Sequence, residues 1–106
     1  MSEVKLMVLY PQPTDTEQFA NDYKAHVALL HQKMNIPTEA RPYQITTFLP
    51  SPTGDAAFYH MFSMPFPSIE VLQQTMGTPE MQEIAADAVR ISSGGAPVVL
   101  VGSDWV

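Results

Sequence analysis

The sequence predicts an α+β fold, one antiparallel four-stranded sheet with helices packed on it. Three observations carry this. Short apolar, β-branched runs occur in four places, and none is long enough for a core helix. Between them, apolar residues recur at helical spacing. The order is strand, helix, strand, strand, helix, strand. The chain has 106 residues. Surface scaling for a chain of that size buries about two-thirds of its surface on folding, enough for one core. A single domain over 1–106 is expected, with no linker or internal repeat.

The first strand is read at Val4-Lys5-Leu6-Met7-Val8-Leu9-Tyr10 and is stopped by Pro11-Gln12-Pro13. Asp15 has the character of a helix N-cap, with Glu17 and Gln18 in the first turn. Phe19, Tyr23, His26, Val27, Leu30 and Met34 then fall on one arc at roughly 100° per residue. The helix should end near Asn35, because Pro37 forbids much more. Tyr43–Leu49 and Ala57–Met64 read as two strands around the turn cluster Pro50-Ser51-Pro52-Thr53-Gly54-Asp55. Their simplest pairing is an antiparallel hairpin. Ser68 caps a second helical stretch, Gly77 breaks it, and Thr78-Pro79-Glu80 restarts it. Met81, Ile84, Ala85 and Ala88 continue it until Ser92-Ser93-Gly94-Gly95. The last strand is Pro97–Gly102. Two split βαβ units in this order make the ferredoxin-like βαββαβ arrangement.

Two helical stretches cover one face of a sheet. The other face of a monomer should then show alternating polarity. These strands do not. Val4, Leu6 and Val8 point one way and Met7 and Leu9 the other, while Val98, Val99, Leu100 and Val101 are all apolar. An open apolar face of that extent exceeds what monomers usually expose. The simplest cover is a second copy, giving a homodimer through the sheet face. Two facing sheets enclose a space suited to a small apolar or aromatic ligand.

Composition removes other classes. Hydrophobic residues make up 45% and charged residues only 15%, which excludes intrinsic disorder. The net charge of −6 counts against nucleic acid and anionic membranes as partners. With no cysteine there is no disulfide, thiolate metal site or cysteine nucleophile. No apolar run approaches the ~20 residues of a membrane span. Met1–Lys5 has neither a basic flank nor a long apolar stretch, so no leader is expected and the cytoplasm is the default location. Neither a G-x-G-x-x-G run, a P-loop nor a G-x-S-x-G elbow is present, and the histidines lack metal-ligand spacing, so no cofactor or metal is expected. The seven methionines suit soft apolar surfaces.

Few residues are left to carry chemistry. His26 lies on the apolar arc between Tyr23 and Leu30, where an imidazole can act as general acid or base, or can be a neutral core group bonded to a carbonyl. Tyr23 is three residues before it, on adjacent ground, and its phenol could bond a substrate oxygen or close the core rim. His60 lies mid-strand among aromatics. Facing the enclosed space it would assist proton transfer, and facing the helices it would be structural. His31 lies off the arc and is expected to be solvated.

Several segments resemble the EthD family. They are Val4–Pro11, then Phe19, then Tyr23-Lys24-Ala25-His26-Val27-Ala28-Leu29, with Phe66-Pro67-Ser68 and Met76-Gly77-Thr78-Pro79-Glu80 further on. The resemblance spans nearly the whole chain. It implies the dimeric α+β barrel, and with it bacterial breakdown of ethers and aromatic compounds. Relatives on that fold include cofactor-independent monooxygenases, lactone isomerases and polyketide cyclases. The family's histidine maps onto His26 and its tyrosine onto Tyr23, while His60 has no assigned equivalent. The family usually places a proline after histidine-x, where Val27-Ala28 stands here.

The expected function is a cofactor-independent small-molecule enzyme of catabolism with His26, Tyr23 and His60 as catalytic residues. Its substrate would be of ether, aromatic or lactone type, and its step proton transfer, isomerisation or oxygenation. The alternative is a non-catalytic small-ligand binder or accessory protein of a catabolic pathway. A third reading is a structural dimer with a filled interior. A cavity of several hundred Å³ touching His26 would favour the first two.

Overall fold

A computed structural model describes residues 3–105. Met1 and Ser2, part of the segment read above for a leader, lie outside the described residues, as does Val106. The elements are β1 (Val4–Pro11), α1 (Thr16–Met34), β2 (Gln44–Thr47), β3 (Phe58–Phe66), α2 (Ile69–Met76), α3 (Pro79–Ile91) and β4 (Val98–Gly102). The sheet order is β2-β3-β1-β4 and every pair is antiparallel. This is the expected ferredoxin-like arrangement. The second helical stretch is two helices, divided at Gly77.

The local signals act as physical chemistry requires. Asp15 accepts hydrogen bonds from the backbone N–H groups of Glu17 and Gln18 at the start of α1. Asn35 ends the helix in the left-handed region, at φ 56°. Ser68 and Thr78 cap α2 and α3 through their side-chain oxygens. The strands differ from the expected bounds, β1 running through Pro11 and β4 starting at Val98, and β2 and β3 by more. β2 is shorter, since its pairing with β3 runs only from Gln44 to Thr47. β3 runs on through Pro65 to Phe66. Pro65 lies beyond Ser63, the last residue paired with β2, where β3 has become an edge and proline is tolerated.

Register fixes the faces. Leu6 and Tyr10 point at the helices and are almost wholly buried. Opposite them on β3 stand Met64 and His60, and between them Val8 faces Phe62. The core on this side joins Leu6, Leu30, Phe66, Leu72 and Ile84, and beside it Tyr10, Phe19, Tyr23 and Ala88. Met7, Leu9, Met61 and Leu100 take the opposite parity and form the face away from the helices. β4 goes further than the sequence suggested. Among the described residues no helix packs on it, so Val98 to Val101 are 38–54% exposed on both sides of the sheet. None of the described helices is long and apolar enough to cross a membrane.

Candidate functional site

A cavity of about 150 Å³ opens between α1, α3 and the β1–β4 half of the sheet. Val8, Val27, Leu30, Ile84, Ala88 and Val99 form much of its wall. Among the described residues, Tyr10 and His26 are the only polar side chains on it. The cavity therefore lies on the helix side of the sheet, not between two sheets. It forms there because β4 widens the sheet beyond the ground α1 and α3 cover, leaving a gap at Val89 and Val99. It is smaller than the several hundred Å³ taken above as the mark of a ligand site.

His26 reaches this wall because the α1 arc buries it to 7% exposure. Its Nδ1 lies 2.8 Å from Asp87 Oδ2 on α3. The other carboxylate oxygen accepts from Nε and Nη2 of Arg90, each at 2.8 Å. Burial alone would raise the Asp87 carboxyl. Hydrogen bonds from His26 and Arg90, with the Arg90 charge, outweigh it and hold the group below the ordinary carboxylate range. An ionised carboxylate only accepts, so Nδ1 carries the ring proton. In the neutral ring the lone pair is then on Nε2, which has no partner among the described residues, and the ring lines the cavity. A histidine on the wall of an apolar cavity, oriented by a carboxylate through one nitrogen and with no described partner on the other, has the parts of a general base.

Tyr23 is next to His26 but off the cavity wall. Its ring lies 5.8 Å from that of His26 and 5.6 Å from Tyr10. Its hydroxyl is enclosed and has no hydrogen-bond partner among the described residues. Burial, then the neighbouring phenols of Tyr10 and Tyr43, push its ionisation far up, so it stays protonated.

His60 faces the helices. It stands opposite Tyr10, with its ring 4.7 Å from Tyr23 and 5.4 Å from Phe19. Its Nδ1 is 3.1 Å from the Thr47 hydroxyl. Burial pushes its pKa below the ordinary 6.5, more than a backbone hydrogen bond at Tyr59 restores. It touches Tyr23 and not the cavity, the arrangement that the sequence reading identified as structural.

The expectation for His31 is corrected. It is 8% exposed, not solvated. Its Nδ1 lies 3.2 and 3.1 Å from the carbonyl oxygens of Ile36 and Pro37 and so must donate to them. Its Nε2 accepts from the Tyr43 hydroxyl at 2.6 Å. The left-handed turn at Asn35 folds the 36–43 connection back over this side of α1, a burial that helical spacing does not encode.

Sequence reasoning missed Asp87 and Arg90 and gave Tyr10 no role. One signal was available. Asp87 is three residues from both Ile84 and Arg90, on the flank of the α3 apolar arc, where a carboxylate faces whatever packs there. Among the described residues no three His, Asp or Glu side chains gather as metal ligands would.

Residues 11–95 match the EthD domain family. No curated protein matches the chain. The structure is similar to that of an ethyl tert-butyl ether D (EthD) family protein from Bacillus halodurans C-125. The TM-score is 0.79 at 31% identity, over 96% of this chain and 98% of that one. It is also similar to a hydroxynitrile lyase from Passiflora edulis, with TM-score 0.70 at 17% identity over 99% and 96% of the two chains. A third neighbour is a dimeric ferredoxin-like protein from Jannaschia sp. CCS1, with TM-score 0.71 at 11% identity over 97% and 100%. The last two likenesses are of fold.

Proposed function

Because the chain belongs to the EthD family, we propose that it is an enzyme of small-molecule catabolism that moves a proton on a largely apolar substrate held beside His26. The single observation carrying this is the His26–Asp87 pair on the cavity wall, with Nδ1 bound and Nε2 without a partner among the described residues. His26 Nε2 takes a proton from carbon next to a carbonyl, or shifts it within a ring. Asp87 holds the tautomer and stabilises the imidazolium that forms, and Arg90 holds Asp87. Tyr23 and His60 form the aromatic backing that fixes the His26 ring. Substrates of aromatic, lactone or ether type fit such a lining. A second copy of the chain covers the open sheet face and the bare β4, and the protein works in the cytoplasm.

The nearly complete apolarity of the wall also suits a binder without turnover. Thermal-shift screening of aromatic and lactone compounds, followed by His26→Ala, separates the two. A ligand at 100 times its dissociation constant stabilises the chain by about 2.7 kcal/mol. Retained binding with turnover reduced roughly 10²–10⁴-fold is the result expected of a general base. A compound that binds both proteins and is turned over by neither assigns the chain to binding.

A further inference from the structure

Size, charge and polarity of the cavity together restrict its ligand. An apolar cavity of about 150 Å³ has room for a benzene-sized molecule. Among the described residues no Lys, Arg, Asp or Glu side chain is on the wall, so a charged ligand would be desolvated there without a partner in contact. Among the described residues, the polar side chains on the wall are those of Tyr10 and His26.

The Tyr10 hydroxyl is unusual for a residue only 1% exposed. It has no hydrogen-bond partner among the described residues. It is also not fully enclosed, since Tyr23 alone holds a fully enclosed, unpaired side-chain polar atom among them. Tyr10 is also one of the residues that form the cavity wall. Burial and then the charge of Asp87 push its ionisation far above the ordinary value, so it carries its proton throughout the neutral range. An unmatched donor in a site of low polarity favours a ligand that brings an acceptor.

We propose that the cavity takes a neutral, single-ring carbonyl compound of about benzene size, and that Tyr10 donates a hydrogen bond to its carbonyl oxygen. The bond orients the ring so that the carbon beside the carbonyl faces His26 Nε2. When His26 removes that proton, the C–H electron pair moves into the carbon–carbon bond and the carbonyl pair onto oxygen. The same Tyr10 bond strengthens as that oxygen becomes negative. The ligand class rests on the general-base reading of His26 only for this last step. Binding can be tested without it.

The probes are cyclohexanone, toluene and cyclohexylammonium, which have equal numbers of heavy atoms. Their affinities for wild type and Tyr10→Phe are measured by calorimetry. Tyr10→Phe should weaken cyclohexanone about fivefold, the loss of one neutral hydrogen bond. Toluene should stay within about twofold, and cyclohexylammonium should bind neither protein. Carbon-13 NMR of labelled cyclohexanone on wild type gives a readout independent of the variant's folding. Its carbonyl resonance should move downfield from the value in hexane, as hydrogen bonding requires. Equal effects of Tyr10→Phe on cyclohexanone and toluene, a hexane-like resonance, or no cyclohexanone binding at millimolar concentration each overturn the proposal. Because these are binding measurements, their failure leaves proton removal by His26 standing. Loss of turnover alone leaves the ligand class standing.

Discussion

His26 and His31 are both buried histidines on α1, five residues apart, and their hydrogen bonds assign them opposite roles. His31 uses both ring nitrogens on the protein, two carbonyls at Nδ1 and the Tyr43 hydroxyl at Nε2. It is a pin between α1 and the connection to β2. Tyr43→Phe strands Nε2 without its donor and should cost roughly 1–3 kcal/mol in urea unfolding. His26 uses one nitrogen and keeps the other for the cavity. Asp87→Asn preserves the shape but lets the imidazole adopt the other tautomer, so turnover should fall at least about tenfold with little change in ligand affinity. His60 gives a pH signature of stability. Its folded pKa is depressed below 6.5, so between the two values the unfolded chain binds more protons than the folded one. The stability it contributes is full above 6.5 and is lost as pH falls through the folded value. Replacing His60 with Phe should flatten the stability profile on the acid side of 6.5, measured by urea midpoints across pH.

At the scale of elements, the capping and breaking residues set the boundaries. Asp15→Ala removes two hydrogen bonds from the first turn of α1 and should cost about 1 kcal/mol. Gly94 is needed for a different reason. A Cβ there would sit 1.8 Å from the Gln12 carbonyl oxygen, so Gly94→Ala must displace the backbone after β1 or before β4. The variant should melt at lower temperature than Asp15→Ala. The Asp15 cap and the glycine stop after α3 were legible in the sequence because caps, prolines and glycines act on their immediate neighbours, whereas the approach of Gly94 to Gln12 joins distant parts of the chain. The strand order was legible for a related reason, since apolar period and element order leave few topologies. The side of the sheet taken by His60 was not. A strand's two faces differ only by one residue of register, and both faces here are apolar. Nor was the His26–Asp87 pair, whose members are 61 residues apart and meet only because α1 and α3 lie side by side. The burial of His31 came from a connection wrapping over a helix, where spacing carries no information.

For the whole molecule, the bare sheet is the dominant feature. Leu100 and Val98 lie on the face away from the helices, and Val99 and Val101 on the helix side, where Val99 lines the cavity. A second copy seated on the open face would shield the first pair and close the barrel that the family implies. Sedimentation at micromolar concentration should therefore show a dimer. Leu100→Asp, which places a charge on that face, should shift it toward single chains. A stable monomer in the wild type would mean that the apolar sheet is left to water.

Proton removal from carbon leaves a record even when no product forms. In D2O, a ligand held beside His26 should exchange its carbon-bound hydrogens for deuterium, followed as loss of proton NMR signal. Wild type should accelerate the exchange on a cavity-binding carbonyl compound, and His26→Ala should return it to the rate in buffer while still binding. Exchange at the buffer rate with the wild type, on a compound shown to occupy the cavity, would contradict the assignment of His26 as a base.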